Sequence, residues 1–174
     1  MVALYSATSF VGAALLFLVQ PMLAKLVLPS FGGSPTVWNT CALFFQTLLI
    51  AGYLYAHLST RRLGPRRQPW LHLAVLVLPL LALPVGLPGD PAPGAAEEPA
   101  LALLRVLLVA VGLPFAVLAT TGPLLQRWFS WTGHRRAGDP YFLYAASNAG
   151  SVVGLLGYPF LLEPSIGLGS ITSG

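Results

Sequence analysis

Long apolar runs, rather than strict alternation or a narrow 3.6-residue stripe, organise this chain. The first extends from about Tyr5 to Leu28, the second from about Thr36 to Leu58, the third from about Trp70 to Leu87 and the fifth from about Tyr141 to Leu162. The fourth begins at Pro99 and stays largely apolar to Phe129, longer than one crossing needs. A bilayer core about 30 Å thick is crossed by roughly 20 apolar residues in a helix. Lipid offers no hydrogen-bond partner to an open strand edge, and these runs are far longer than barrel strands, so each is read as a helix. The expected fold is an all-α integral membrane protein, a single domain over residues 1–174. It comprises a bundle of about five transmembrane helices (about 5–28, 36–58, 70–87, 99–119 and 141–162) and a short interfacial helix, about 124–131.

Turn chemistry punctuates the runs. Ser34-Pro35 and Asp139-Pro140 are cap-plus-proline helix starts. The stretch from Pro88 to Glu98 is too rich in Pro, Gly and Ala for regular structure. In the long fourth run, Thr120-Thr121-Gly122-Pro123 marks a break. The segment after it carries Arg127, Trp128 and Trp131, residue types favoured where a helix lies along the membrane surface. Pro21, Pro79, Pro84, Pro114 and Pro159 fall inside runs, where each frees a backbone carbonyl and is expected to kink its helix.

Composition strengthens this picture. Hydrophobic residues make up 56% and charged residues 8% of the chain, whereas a soluble domain carries roughly a quarter charged residues. The net charge of +4 could suggest nucleic acid. The arginines instead concentrate in two short loops, Arg61 to Arg67 and Arg127 to Arg136, as in a membrane topology signal, and no nucleic-acid partner is expected. Those loops should face the cytoplasm, which places the N-terminus inside and Glu163 with the tail outside, in the periplasmic or extracellular space. The first run follows Met1 without a basic stretch or small-residue cleavage pattern, and is read as a retained helix. Cys41 is alone, so no disulfide framework exists.

Candidate chemistry is sparse. In the fifth run Ala146, Gly150 and Gly154 recur every four residues, with Ser147 and Ser151 in a second row. Such rows let another helix approach closely, and this helix is expected to pack centrally, against more than one neighbour. The Gly150/Gly154 face, or the apolar surface adjoining it, is expected to meet another chain. Lys25, Arg105 and Glu163 fall at one level near the outer ends of their runs, a possible charge cluster in which one ion pair would relieve the cost of burying charge. Snorkelling of the cations to headgroups is the alternative. Gln46, Thr47 and Asn148 lie deeper and are expected to be buried, hydrogen-bonding between helices. His57, His72 and His134 match no metal-ligand spacing, and no nucleophile elbow joins Ser, His and Asp. No catalytic residue, metal site or cofactor is expected.

Four stretches carry a resemblance. They are Phe17-Leu18-Val19-Gln20-Pro21-Met22-Leu23-Ala24-Lys25, Phe31-Gly32-Gly33-Ser34-Pro35-Thr36-Val37-Trp38, Thr120-Thr121-Gly122-Pro123-Leu124-Leu125-Gln126 and Tyr141-Phe142-Leu143-Tyr144-Ala145-Ala146-Ser147-Asn148-Ala149-Gly150-Ser151. Together, in this order, they resemble the membrane region of bacterial fused transporter-like/spermidine-synthase-like proteins. The resemblance implies a bacterial inner-membrane location and a soluble aminopropyltransferase-like domain downstream of the helices. This sequence has no strand, glycine-rich turn and helix in succession, so no catalytic residue carries over.

Three function classes follow. A non-catalytic accessory or scaffold subunit of a larger assembly, for example respiratory or photosynthetic, needs only packing faces and anchored loops, and is the favoured expectation. Its partners would be the lipid bilayer and other membrane subunits or another copy. A transporter-like module for a small solute such as a polyamine fits the kinked helices, and a membrane anchor for a separate synthase fits the resemblance.

Overall fold

The computed structural model describes residues 1–82 and 97–164. Among the described residues the chain is all-helical, without strands, and four helices are long and apolar enough to cross a membrane: Val2–Phe31, Pro35–Leu80, Pro99–Ser130 and Tyr141–Leu162.

Helix α1, Val2–Phe31, runs through Pro21 and Pro29 and stops at Gly32. Gly32 has φ 73° and ψ 176°, a conformation essentially closed to residues with a Cβ. Its N–H donates to the Leu28 carbonyl at 2.8 Å, which closes the last turn. Helix α2, Pro35–Val77, starts on the expected cap, with Ser34 Oγ accepting from the Val37 N–H at 3.4 Å.

A reversal divides α2 into two arms, 35–63 and 65–77. Gly64 has φ 63° and ψ −172°, again a glycine conformation, and Pro65 opens the second arm where its missing N–H costs nothing. Two pairs register the arms as antiparallel. Gln68 Nε2 donates to Ser59 Oγ at 3.4 Å, and Tyr55 Oη lies 3.4 Å from His72 Nδ1. In a straight helix Tyr55 and His72 would stand about 25 Å apart. Trp70 therefore belongs to a helix that begins at Pro65, and a 3-10 turn, Leu78–Ala82, follows around Pro79. Residues 83–87 of the expected third crossing, Pro84 among them, lie outside the described residues.

The next long helix is built in pieces. Glu98 caps α3, Pro99–Leu107, by accepting from the Leu101 N–H at 3.0 Å. A π-turn, Leu108–Gly112, then leads into α4, Leu113–Ala119. Pro114 cannot donate to the preceding turn, and the wider turn absorbs the defect. Thr120 keeps helical angles, φ −77° and ψ −18°, and α5 continues over Thr121–Ser130. Pro123, in its first turn, has no N–H to give the Ala119 carbonyl, and the i−4 ladder resumes at once with the Leu124 N–H donating to the Thr120 carbonyl at 3.1 Å. Helix α6, Tyr141–Gly157, ends in a second π-turn, Tyr158–Leu162, at Pro159.

Close approaches fix how the helices run. A Cβ on Gly12 would lie 2.9 Å from Thr121 Cγ2, and the Tyr5 and Phe129 rings meet edge-on at 5.3 Å, so α5 runs antiparallel beside the first half of α1. The segment expected to lie along the surface, 124–131, thus continues the line of the preceding helix, because Leu124, Leu125 and Phe129 are buried inward. Gly150 lies against Phe10 and Gly154 against Ala14, so α6 is parallel to α1. On the far side of α1, Leu23, Val27, Phe44, Phe45, Leu103, Leu107 and Phe115 form the core, with the Phe45 and Phe115 rings 4.8 Å apart.

The central helix is not the one expected. Pro99–Ser130 is the most buried of the four long helices, while α6 packs chiefly on α1 at the edge of the bundle. Small residues on α6 permit one very close contact, and one close contact does not require a central place.

Candidate functional site

The packing residues of α6 divide into two groups. Gly150 and Gly154 meet the backbone of α1, where an added Cβ would fall 2.1 Å from the Phe10 oxygen and 2.2 Å from the Ala14 oxygen. The face expected to meet another chain is therefore occupied by this chain's own first helix. Ser147 and Ser151 instead line a small cavity of about 140 Å³, together with Ser9, Gly12, Tyr53 and Thr121. Ala146 is half-buried. Ser151 donates to the Ser147 carbonyl at 3.0 Å, and Ser9 to the Leu143 carbonyl at 3.2 Å. Each hydroxyl keeps acceptor capacity toward the cavity.

A larger cleft, about 730 Å³, adjoins the first through Tyr53 and Pro123, which line both. Its other walls include His57, Thr60, Arg61, Arg127 and Trp131. Two elements bring these side chains together. The last turns of the first α2 arm supply His57 to Arg61, and α5 supplies Arg127. The Arg127 guanidinium carbon stands 5.3 Å from the Trp131 ring centroid, a cation–π contact that holds the arginine at the rim.

Behind the cleft lies a polar network that joins the two α2 arms to α5. Gln68 is fully buried; its amide nitrogen donates to Ser59 and its oxygen accepts from Trp128 Nε1. His72, also buried, faces Trp128 edge-on at 5.6 Å. Sequence reading passed over Gln68 and considered His72 only as a metal ligand. The signal available was symmetry about Gly64, which pairs 59 with 68 and 55 with 72 once the reversal is recognised.

At the opposite end the three candidate charges separate. Lys25 pairs with Glu163, tying the end of α1 to the end of the last helix. Arg105 Nη2 goes to Glu97 Oε2 at 3.1 Å instead. All four side chains are partly exposed, so these pairs orient helix ends more than they stabilise the fold.

Gln46 and Asn148, expected between helices, are both exposed, as is Thr47, which donates to the Leu43 carbonyl at 2.7 Å. Helix packing alone decides this. The buried line of the first α2 arm runs through Cys41, Phe44 and Phe45, and that of α6 through Leu143, Gly150 and Gly154, so the amides point away.

Among the described residues neither cavity is lined by a carboxylate, and no serine or cysteine is hydrogen-bonded to a histidine. No group of three His, Cys, Asp or Glu side chains suited to a metal ion occurs among the described residues. The arrangement offers hydroxyls, guanidiniums and the His57 imidazole for binding. Comparison with family models, curated proteins and solved structures returns no match.

Proposed function

We propose that this chain is a non-catalytic, multi-pass subunit of a larger assembly in the bacterial inner membrane. In this reading the two α2 arms cross separately, giving five crossings. The N-terminus and the arginine-rich ends of the bundle face the cytoplasm, and Lys25 and Glu163 face the outside.

One observation carries the proposal. Gln46 is exposed, without a hydrogen-bond partner among the described residues, in a stripe shared with Leu43, Ile50 and Leu54. It lies about 9 Å outward of Gly52, at 1.5 Å per residue, and Gly52 packs on Ala119 deep in the bundle. An amide turned toward hydrocarbon without a partner costs several kcal/mol, whereas the same amide between helices is satisfied. A polar group on a helix of a neighbouring chain supplies that partner.

Gln46→Leu removes the need without changing the core. In native membranes the chain is expected to migrate in a complex larger than its monomer, and the variant is expected to release it as a folded monomer. A wild-type chain that migrates alone, or a complex indifferent to Gln46→Leu, contradicts the proposal.

The hydroxyl-lined cavity favours a second reading, a transporter-like module for a small polar solute. Saturable polyamine uptake by liposomes containing the purified chain would put that reading first.

A further inference from the structure

The arginines at the inner end of the bundle are unbalanced. Both ion pairs of the described residues lie at the outer end, and Asp139 is the one carboxylate in sequence near the basic segments. Asp139 Oδ1 accepts from the Tyr141 N–H at 3.3 Å and lines a different depression, with Gln126 and Tyr144. Arg61 and Arg127, from separate helices, thus line one cleft with no carboxylate in its walls among the described residues.

The depth of the cleft matters as much as its charge. Phe129 is beside Tyr5 and Thr121 is beside Gly12, so Arg127 stands near the level of Tyr5 on α1. Lys25 lies 20 residues further along α1, about 30 Å away, which is the thickness of a hydrocarbon core. If Lys25 marks the outer headgroup level, Arg61 and Arg127 mark the inner one. The cleft continues from there toward the bundle centre along Tyr53, Ala56 and Pro123. Its volume suits a ligand of small-molecule size. A cationic mouth at headgroup level above a largely apolar wall matches the amphipathic shape of a phospholipid.

We propose that this cleft binds the phosphate group of an anionic phospholipid of the inner leaflet. Arg61 and Arg127 pair with the phosphate oxygens, and Thr60, whose hydroxyl donates to the Ala56 carbonyl at 2.7 Å, lines the same mouth. The start of an acyl chain lies along Tyr53 and Ala56. Trp131 holds the Arg127 guanidinium by their cation–π contact. Free phosphate shares the chemistry of the headgroup but lacks the chain.

The test uses the full chain reconstituted in phosphatidylcholine nanodiscs with a trace of headgroup-labelled phosphatidylglycerol. It rests on the membrane-spanning reading, whose failure is distinguishable because such a chain would not incorporate into the discs. Wild type is expected to retain phosphatidylglycerol preferentially, and Arg61→Gln/Arg127→Gln to lose at least about tenfold in that preference, because each arginine loses a charge-assisted pair with the phosphate that a charge outside the cleft does not make. Arg135→Gln/Arg136→Gln removes the same charge from outside the cleft and is expected to retain most of it. Millimolar inorganic phosphate should not displace the lipid. Equal losses in both double variants would reduce the effect to general surface charge and overturn the proposal. Displacement by inorganic phosphate would assign the cleft to a soluble phosphate, and absence of preference in wild type would also overturn it. If the double variant proves unstable, Arg61→Gln alone is compared with Arg135→Gln by the same readout.

Discussion

Replacing Gly150 or Gly154 with leucine is expected to abolish most of the folded protein, whereas Val152→Leu on the exposed face of the same helix leaves its yield and thermal midpoint nearly unchanged. The reason is backbone contact. At Gly150 even a methyl group would sit 2.1 Å from the Phe10 oxygen, and at Gly154 2.2 Å from the Ala14 oxygen. Neither neighbour is a side chain that can rotate away, so α6 must withdraw from α1. Apolar surface gives little association between helices already in lipid, and close van der Waals packing supplies most of it. Overpacking ordinarily costs about 1–3 kcal/mol, and clashes against backbone belong at or above the top of that range. Gly12→Ala is a graded control, because its Cβ meets the Thr121 methyl at 2.9 Å and that side chain can turn. Size-exclusion profiles of detergent-solubilised variants measure the effect. Val152→Leu as damaging as Gly150→Leu would remove the packing account.

The second large effect is expected at Gln68. Gln68→Leu fits the volume but strips the Trp128 indole N–H of its acceptor and Ser59 Oγ of its donor. A buried polar group left unsatisfied costs about 1–3 kcal/mol, and this side chain also bridges three helical segments. The variant is expected to lose several degrees in thermal midpoint and to expose Trp128, read as a red shift of tryptophan emission. Trp128→Phe in the same background should recover part of the loss, since it removes the orphaned donor. Additive losses in the double variant would mean that the two residues do not act through their hydrogen bond.

Much of the chain's organisation was legible because polar punctuation is conspicuous against apolar runs. Ser34-Pro35 starts α2, Pro99 starts α3 and Tyr141 starts α6 where turn chemistry put them. Pro114 and Pro159 perturb their helices as expected, each accompanied by a π-turn. Gly64-Pro65 sat in plain view within the basic segment, yet its reversal brings the arms into contact almost without a loop, so the third helix begins earlier than the apolar run suggested.

Facing directions were not legible. In a soluble helix the polar face identifies the outside, but a helix in lipid is apolar on every side and its periodicity carries little such information. The polarity of Gln46 and Asn148 points to positions between helices, yet both are exposed. Ala145, Asn148 and Ala149 are exposed, while Gly150, their close neighbour in sequence, lies buried against Phe10. Small residues mark where close approach is permitted and do not name the neighbour. The Arg61/Arg127 cleft was hidden for a related reason. Its two arginines lie on different helices, and the level they share follows from the register of α2 against the helix of α4 and α5, where Gly52 meets Ala119, which no local pattern encodes.

The central claim is that the bundle crosses the membrane with the arginine-rich end inside and that the first α2 arm is one of the crossings. Single cysteines at Gly33, Arg66 and Arg136, introduced in a Cys41→Ser background, test it most directly. All three residues are exposed, whereas Cys41 is buried. With a membrane-impermeant thiol reagent applied to intact cells, Gly33→Cys is expected to react, and Arg66→Cys and Arg136→Cys to react only after the cytoplasmic side is opened. Labelling of Gly33→Cys and Arg66→Cys from the same side would contradict the account, because the helix between them would then not cross.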